Sequence, residues 1–200
     1  EPSAQTCPGA CGAPKTARVD LGRALLTVPH TAYLRVSEGC DRKCAFCAIP
    51  LIRGTQRSKP IEVLVEEATR LVAQGVRELS LVGEETTAYG SDLGMKYGEG
   101  IVALLRALGE IDGLLWTRLL YAHPGSFHPS LVDEIRENKK VAKYVDMPIQ
   151  HGDDDILKRM KRGTPVAKMR SLIARLRDEI PDITLRTTIL VGFPYETERR

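Results

Sequence analysis

Apolar residues along this chain alternate between a two-residue and a three-to-four-residue period. Tyr33 to Val36 reads as a short strand that runs straight into a group of cysteines. Pro60 opens a helix whose apolar positions Ile61, Leu64, Val65, Ala68, Leu71 and Val72 recur at helical steps, and Gly75 is placed to end it. Glu78 to Val82 is the next strand, closed by Gly83. Ile101, Leu104, Leu105 and Leu108 mark a second helix, Trp116 to Ala122 a third strand, and Pro129 to Glu137 a third helix. Tyr144 to Ile149 is a fourth strand. Asp153 is placed to cap a helix through Met160, and another runs from Val166 to Ile180, where Pro181 stops it. Ile183 to Val191 is a fifth strand, ending in Gly192, Phe193 and Pro194.

Strands separated by helices at this spacing predict βαβ units and a parallel sheet, hence an α/β fold. A complete eight-stranded barrel takes about 250 residues. Five strands with no helix after the last, in 200 residues, therefore predict a partial TIM-like (βα) barrel over residues 31–200, truncated after the fifth strand. Residues 1–30 differ: Pro2, Pro8, Gly9, Gly12, Pro14 and Pro29 sit among small and polar residues without a period, which reads as a linker or tail. The chain opens at Glu1 with no initiator Met and reads as an excerpt.

Composition adds exclusions. No segment reaches the roughly 18 consecutive apolar positions of a membrane span. The net charge of +3 is small and mixed along the chain, which permits contact with a nucleic-acid-rich partner without arguing for one. The five cysteines change the picture more: Cys7, Cys11, Cys40, Cys44 and Cys47 all fall in the first quarter. A secreted disulfide scaffold would spread its cysteines to staple distant loops, so an odd, tight cluster predicts metal binding in a reducing compartment, the cytoplasm.

Glu38-Gly39-Cys40-Asp41-Arg42-Lys43-Cys44-Ala45-Phe46-Cys47 follows the first strand. Three thiolates at C-x-x-x-C-x-x-C spacing can bind three irons of a cubane and leave the fourth without a protein ligand. An open metal position is what a catalytic site needs. Zinc would require a fourth ligand, and His30 is the only histidine nearby in sequence. A zinc-bound structural module without chemistry stays open at this point as the alternative of another class.

The cysteine pattern, with the aromatic Phe46 before its last member, resembles the radical S-adenosylmethionine (SAM) superfamily, which carries it in the first βα loop of a barrel. That resemblance implies a [4Fe–4S] cluster on Cys40, Cys44 and Cys47, with SAM on the open iron as source of a 5′-deoxyadenosyl radical. From Thr31 to Glu198 the chain is similar to the methylthiotransferases of that superfamily. The likeness lies in Pro50 to Arg57 (PLIRGTQR), Thr86 to Gly90 (TTAYG), Trp116 to Pro124 (WTRLLYAHP), Tyr144 to His151 (YVDMPIQH) and Val191 to Thr197 (VGFPYET). TTAYG and YAHP favour the branch that methylthiolates the β-carbon of an aspartate in a small-subunit ribosomal protein. The alternative is the sister branch that acts on isopentenyl-adenosine in tRNA.

The resemblance implies further roles. Gly83 and Glu84 would accept hydrogen bonds from the cofactor's ammonium, and Val191 and Gly192 would lie against its adenine. Gln150, His151 and Arg186, on or near strand ends, would face the cavity and meet the cofactor or a substrate carboxylate, or else bond internally. His123 is expected to be structural. Arg53 and Arg57 would neutralise the cluster, meet an acidic substrate loop, or form a solvated turn. Lys158, Arg159, Lys161 and Arg162 would form an exposed helix face able to touch ribosomal RNA. Two departures stand out: Gly83-Glu84-Glu85 replaces an Ala-Gln-Asp, and Tyr195 replaces a glycine. Cys7 and Cys11 are expected to be linker cysteines. A second [4Fe–4S] cluster on an N-terminal domain, and a C-terminal RNA-binding-like domain, are implied beyond this chain. The implied partners are the ribosomal protein or ribosomal subunit and an electron donor such as flavodoxin.

Overall fold

The computed structural model describes residues 23–198, so Cys7 and Cys11 lie outside the described residues. Strand β1 (Thr31–Arg35) buries Ala32 and Leu34 completely. It passes into a two-residue strand, β2 (Ser37–Glu38), and then into the cysteine loop. Helix α1 (Ile49–Arg53) follows that loop, and β3 (Arg57–Ser58) returns to pair antiparallel with β2. Helix α2 (Ile61–Ala73) turns Leu64, Ala68, Leu71 and Val72 into the core, as its period predicts. Then come β4 (Glu78–Val82), α3 (Glu99–Gly109), β5 (Trp116–Leu119), α4 (Pro129–Glu137) and β6 (Val141–Asp146). Helices α5 (Asp154–Arg159) and α6 (Val166–Glu179) precede β7 (Thr184–Arg186).

The main sheet has five strands in the order β1-β4-β5-β6-β7, every neighbouring pair parallel. Consecutive strands lie side by side, and α2, α3, α4 and α6 pack against one another in the same order, the repeated βα arrangement of a partial barrel. All strands run the same way, so their C-terminal ends share one rim, where the cysteine loop emerges. No helix among the described residues is long and apolar enough to cross a membrane.

Several boundaries differ from the sequence reading. The third strand stops at Leu119 rather than Ala122, because Tyr121 takes φ 58°, outside the extended region. The fourth begins at Val141 and ends at Asp146: Pro148 lacks an N–H to continue a ladder, and Gln150 takes φ 73°. The fifth shrinks to three residues, followed only by an isolated bridge between Gln150 and Ile189. The β2–β3 hairpin and α1 have too few residues for a period to register. Residues 23–30, expected to be tail, contact the domain. Arg23 donates to the Tyr33 carbonyl, Leu25 packs on the core, and the His30 carbonyl accepts from Arg77 and Glu78.

Candidate active site

Gly39 sets the geometry of the cysteine loop. It sits at φ +76°, and a Cβ there would lie 2.2 Å from the Thr55 carbonyl oxygen, so only glycine lets the hairpin close this tightly. The closure places the Cys40 amide 3.1 Å from the Gly54 carbonyl and brings the Gln56 amide to the Asp41 carboxylate at 3.1 Å. Farther along, the Ala45 amide donates to the Met160 carbonyl at 2.9 Å, tying the loop to the end of α5. Cys40 and Cys44 are buried and Cys47 is exposed.

The three thiols line one cavity of about 570 Å³, together with Gly83, Glu84 and Gln150. The fold therefore brings together the three cysteines and three of the six residues expected at the cofactor. Arg186, Val191 and Gly192 do not line the cavity: Arg186 is at the end of the edge strand β7, 3.8 Å from Asp146, and Val191 is 77 % exposed. His151 is buried outside the lining, its Nδ1 accepting from the Asp153 amide at 3.0 Å and its Nε2 3.4 Å from Glu196. Arg53 lines the cavity 3.5 Å from Glu38 and 3.9 Å from Glu84, and Arg57 lies 3.9 Å from Glu38, so both belong to an ionic group around the loop. Tyr195 sits at φ 74°, which explains why a glycine suits that position, and its ring lies 4.3 Å under the Arg159 guanidinium.

Other residues at the site escaped the sequence reading. Arg42, between the first two cysteines, grips Glu85 with two hydrogen bonds of 2.7 and 2.9 Å and donates to the Tyr97 hydroxyl at 2.7 Å. Ser126 donates to the same carboxylate. This network fastens the cluster loop to segments that follow β4 and β5. Burial alone would raise the Glu85 carboxyl, but the Arg42 and Ser126 hydrogen bonds and the Arg42 charge outweigh it and hold the group below the usual range. The only sign of Glu85 in the sequence was its place in the departing Gly83-Glu84-Glu85 segment.

His123, expected to be structural, also lines the cavity. Its Nδ1 accepts from the Gly125 amide at 3.0 Å, so the neutral ring carries its proton on Nε2. Burial, with the positive charges of Arg162 and Arg42, pushes the imidazole down to about 3. Arg162 corrects the expectation of a fully exposed basic run. Lys158, Arg159 and Lys161 are exposed, but Arg162 is buried, with Nη1 3.6 Å from the Cys44 Sγ.

The donor set fits an iron–sulfur cluster. Three thiols from one loop share a cavity, the number that can hold three irons of a cubane and leave the fourth open. Burial pushes the Cys40 thiol up to about 11, so metal coordination has to supply the energy that holds it as thiolate. Four residues of the lining, Ser37, Glu84, His123 and Arg162, each carry a buried polar atom with no hydrogen-bond partner. Buried polar atoms left in this state are costly unless a ligand satisfies them.

A parallel βα sheet with a three-cysteine loop at its C-terminal rim defines a class, and the chain belongs to the radical SAM superfamily, whose family model matches residues 34–200. Members use SAM and a [4Fe–4S] cluster, which sets aside the zinc-bound structural module. Within the class, the chain is 48% identical over 179 residues to the ribosomal protein uS12 methylthiotransferase RimO of Geotalea uraniireducens (strain Rf4), covering 90% of this chain and 40% of that protein. It is 50% identical over 169 residues to the RimO of Geobacter sulfurreducens, covering 84% of this chain and 37% of that one. The chain thus spans about 40% of the length of the curated relatives it matches. Among solved structures, the radical SAM methyltransferase TsrM from Kitasatospora setae superposes with a TM-score of 0.65 at 18% identity, over 84% of this chain and 32% of that one. The cobalamin-dependent radical SAM enzyme OxsB gives 0.61 at 17% identity, over 78% of this chain and 23% of that one. Those two likenesses are of fold.

Proposed function

We propose that the protein carrying this chain is a radical SAM methylthiotransferase that modifies the β-carbon of an aspartate in ribosomal protein uS12. The observation that carries the reading is the identity of 48% and 50% to ribosomal protein uS12 methylthiotransferases, over stretches long enough to include the cluster loop. Bound at the cluster, SAM supplies a carbon radical able to remove a hydrogen from an unactivated C–H bond. Cys40, Cys44 and Cys47 hold the cluster, and Gly83, Glu84 and Gln150 are the residues we assign to the cofactor. The orphaned Glu84 Oε2 suits an ammonium donor. Arg186, Val191 and Gly192 receive no assignment, since they stand outside the lining.

Arg35, Arg42, Arg53 and Arg162 line the cavity, the first three beside carboxylate partners of their own, so a substrate carboxylate would share these cations with Glu38, Glu84 and Glu85. Phe46, Ile49, Val82 and Ala122 supply apolar wall, which keeps water and competing C–H bonds from a reactive intermediate. The transferred sulfur comes, in this reading, from a second [4Fe–4S] cluster outside this chain, and electrons from a flavodoxin-class donor in the cytoplasm. The test is mass spectrometry of uS12, in ribosomal subunits, and of isopentenyl-adenosine tRNA after incubation with the intact protein, SAM and reductant. A methylthio group on one uS12 aspartate, lost in Cys40→Ala, is expected. Modified tRNA with unmodified uS12 would overturn the assignment.

A further inference from the structure

Arg162 stands in a turn whose backbone is bent to aim it inward. Lys161 takes φ 55° and Gly163 φ 70°, so Arg162 lies between two left-handed residues, one of them a lysine that adopts that conformation at a cost. Its side chain leaves the line of its exposed basic neighbours and becomes 7 % exposed. There Nη2 donates to the Pro148 carbonyl at 2.5 Å, Nη1 lies 3.6 Å from the Cys44 Sγ, and Nε has no partner. No carboxylate among the described residues forms an ion pair with it, whereas the other buried cation, Lys59, lies 2.9 Å from Glu67. A buried guanidinium without an anion is unfavourable. The group that can balance it is the Cys44 thiolate, to which the geometry already directs an N–H. A second tie, from the Ala45 amide to the Met160 carbonyl, holds the same turn against the same loop.

We propose that Arg162 is the counter-charge and N–H···S donor to the Cys44 thiolate, a positioning residue that raises the reduction potential of the cluster. The inference rests on the reading that Cys40, Cys44 and Cys47 hold that cluster. Reduction adds one electron and makes the cluster more negative, and a cation and hydrogen bond at a ligand sulfur favour the reduced form. The carbonyl contact to Pro148 fixes the guanidinium, so charge and direction both matter.

The experiment is an EPR-monitored redox titration of the intact, anaerobically reconstituted protein and of its Arg162→Gln and Arg162→Lys variants, following the signal that shifts on adding SAM. With iron content unchanged, Arg162→Gln should lower the reduced-to-oxidised ratio at a fixed potential about tenfold, a shift of about 59 mV for one electron. Arg162→Lys, which keeps the charge and loses the fork, should fall between the two. If Arg162→Gln takes up no cluster, Arg162→Lys carries the comparison alone. An unshifted potential, or lost iron with the remaining cluster unchanged in potential, would reduce Arg162 to a structural role and overturn the proposal. A wild type without a SAM-sensitive signal would overturn the cluster reading itself, a failure distinct from an unshifted variant.

Discussion

Replacing Arg42 with alanine removes the partner that holds Glu85 as a buried carboxylate. Breaking a fully buried pair from one side costs about 3–5 kcal/mol. The Arg42 side chain is 34% exposed and Glu85 keeps its Ser126 and Tyr97 hydroxyls, so about 2–3 kcal/mol is the working figure. At about 2–4 °C per kcal/mol for a domain of this size, Tm should fall by roughly 4–12 °C. Glu85→Gln alone should be similarly harmful, since it leaves the guanidinium facing a neutral amide. The double variant should cost about 1–2 kcal/mol less than the sum, because each single change already forfeits the shared contact. Urea unfolding of the cluster-loaded protein and the three variants measures the cycle. The sign with pH is fixed as well: Glu85 is held below its ordinary value of 4.5, so the pair's contribution is whole above pH 4.5 and is lost as pH falls through the lowered value. Additivity within about 0.5 kcal/mol would refute the claim that Arg42 and Glu85 act as one tie between the cluster loop and the sheet.

Three further outcomes follow from the same geometry. Gly39→Ala should lose cluster content and at least about 1–2 kcal/mol of stability from the left-handed backbone alone, before the clash with Thr55; normal iron content would contradict the tight closure. His123, neutral in the folded protein down to about 3, should make stability fall as pH drops from about 6.5 toward 3, by up to about 1.4 kcal/mol per pH unit, because only the unfolded chain takes the proton. Denaturant titrations should show a shallower slope in that window for His123→Asn, and equal slopes would refute the buried neutral ring. Lys59→Met should destabilise by about 1–3 kcal/mol, less than a fully stranded carboxylate would cost because Arg23 stays 3.4 Å from Glu67, and Lys59→Met with Glu67→Leu should recover part of it; no recovery in thermal unfolding would count against Lys59 and Glu67 as a coupled buried pair.

The sequence carried the parallel sheet because long helices and strands each write a period: β4 and α4 have the residues expected of them. It carried the cluster because Cys40, Cys44 and Cys47 are local in sequence. It did not carry where strands stop, since positive φ at Tyr121 and Gln150 leaves no periodic trace. Nor did it separate Arg162 from Lys158, Arg159 and Lys161: four adjacent cations look alike until a left-handed turn swings one inward. The Arg42–Glu85 tie joins residues 43 apart in sequence, a pairing no short motif encodes. His123, standing before Pro124, read as structural; its Nδ1 does accept a backbone amide, while its unpartnered Nε2 is visible only in three dimensions.

EPR of the anaerobically reconstituted, reduced protein with and without SAM, beside Cys40→Ala, tests the central claim most directly. The account predicts a cubane signal that shifts when SAM is added, and a variant that lacks this signal and about four irons per chain. No signal that responds to SAM, or a SAM-responsive signal that survives in Cys40→Ala, would contradict an open-iron cluster at this cavity.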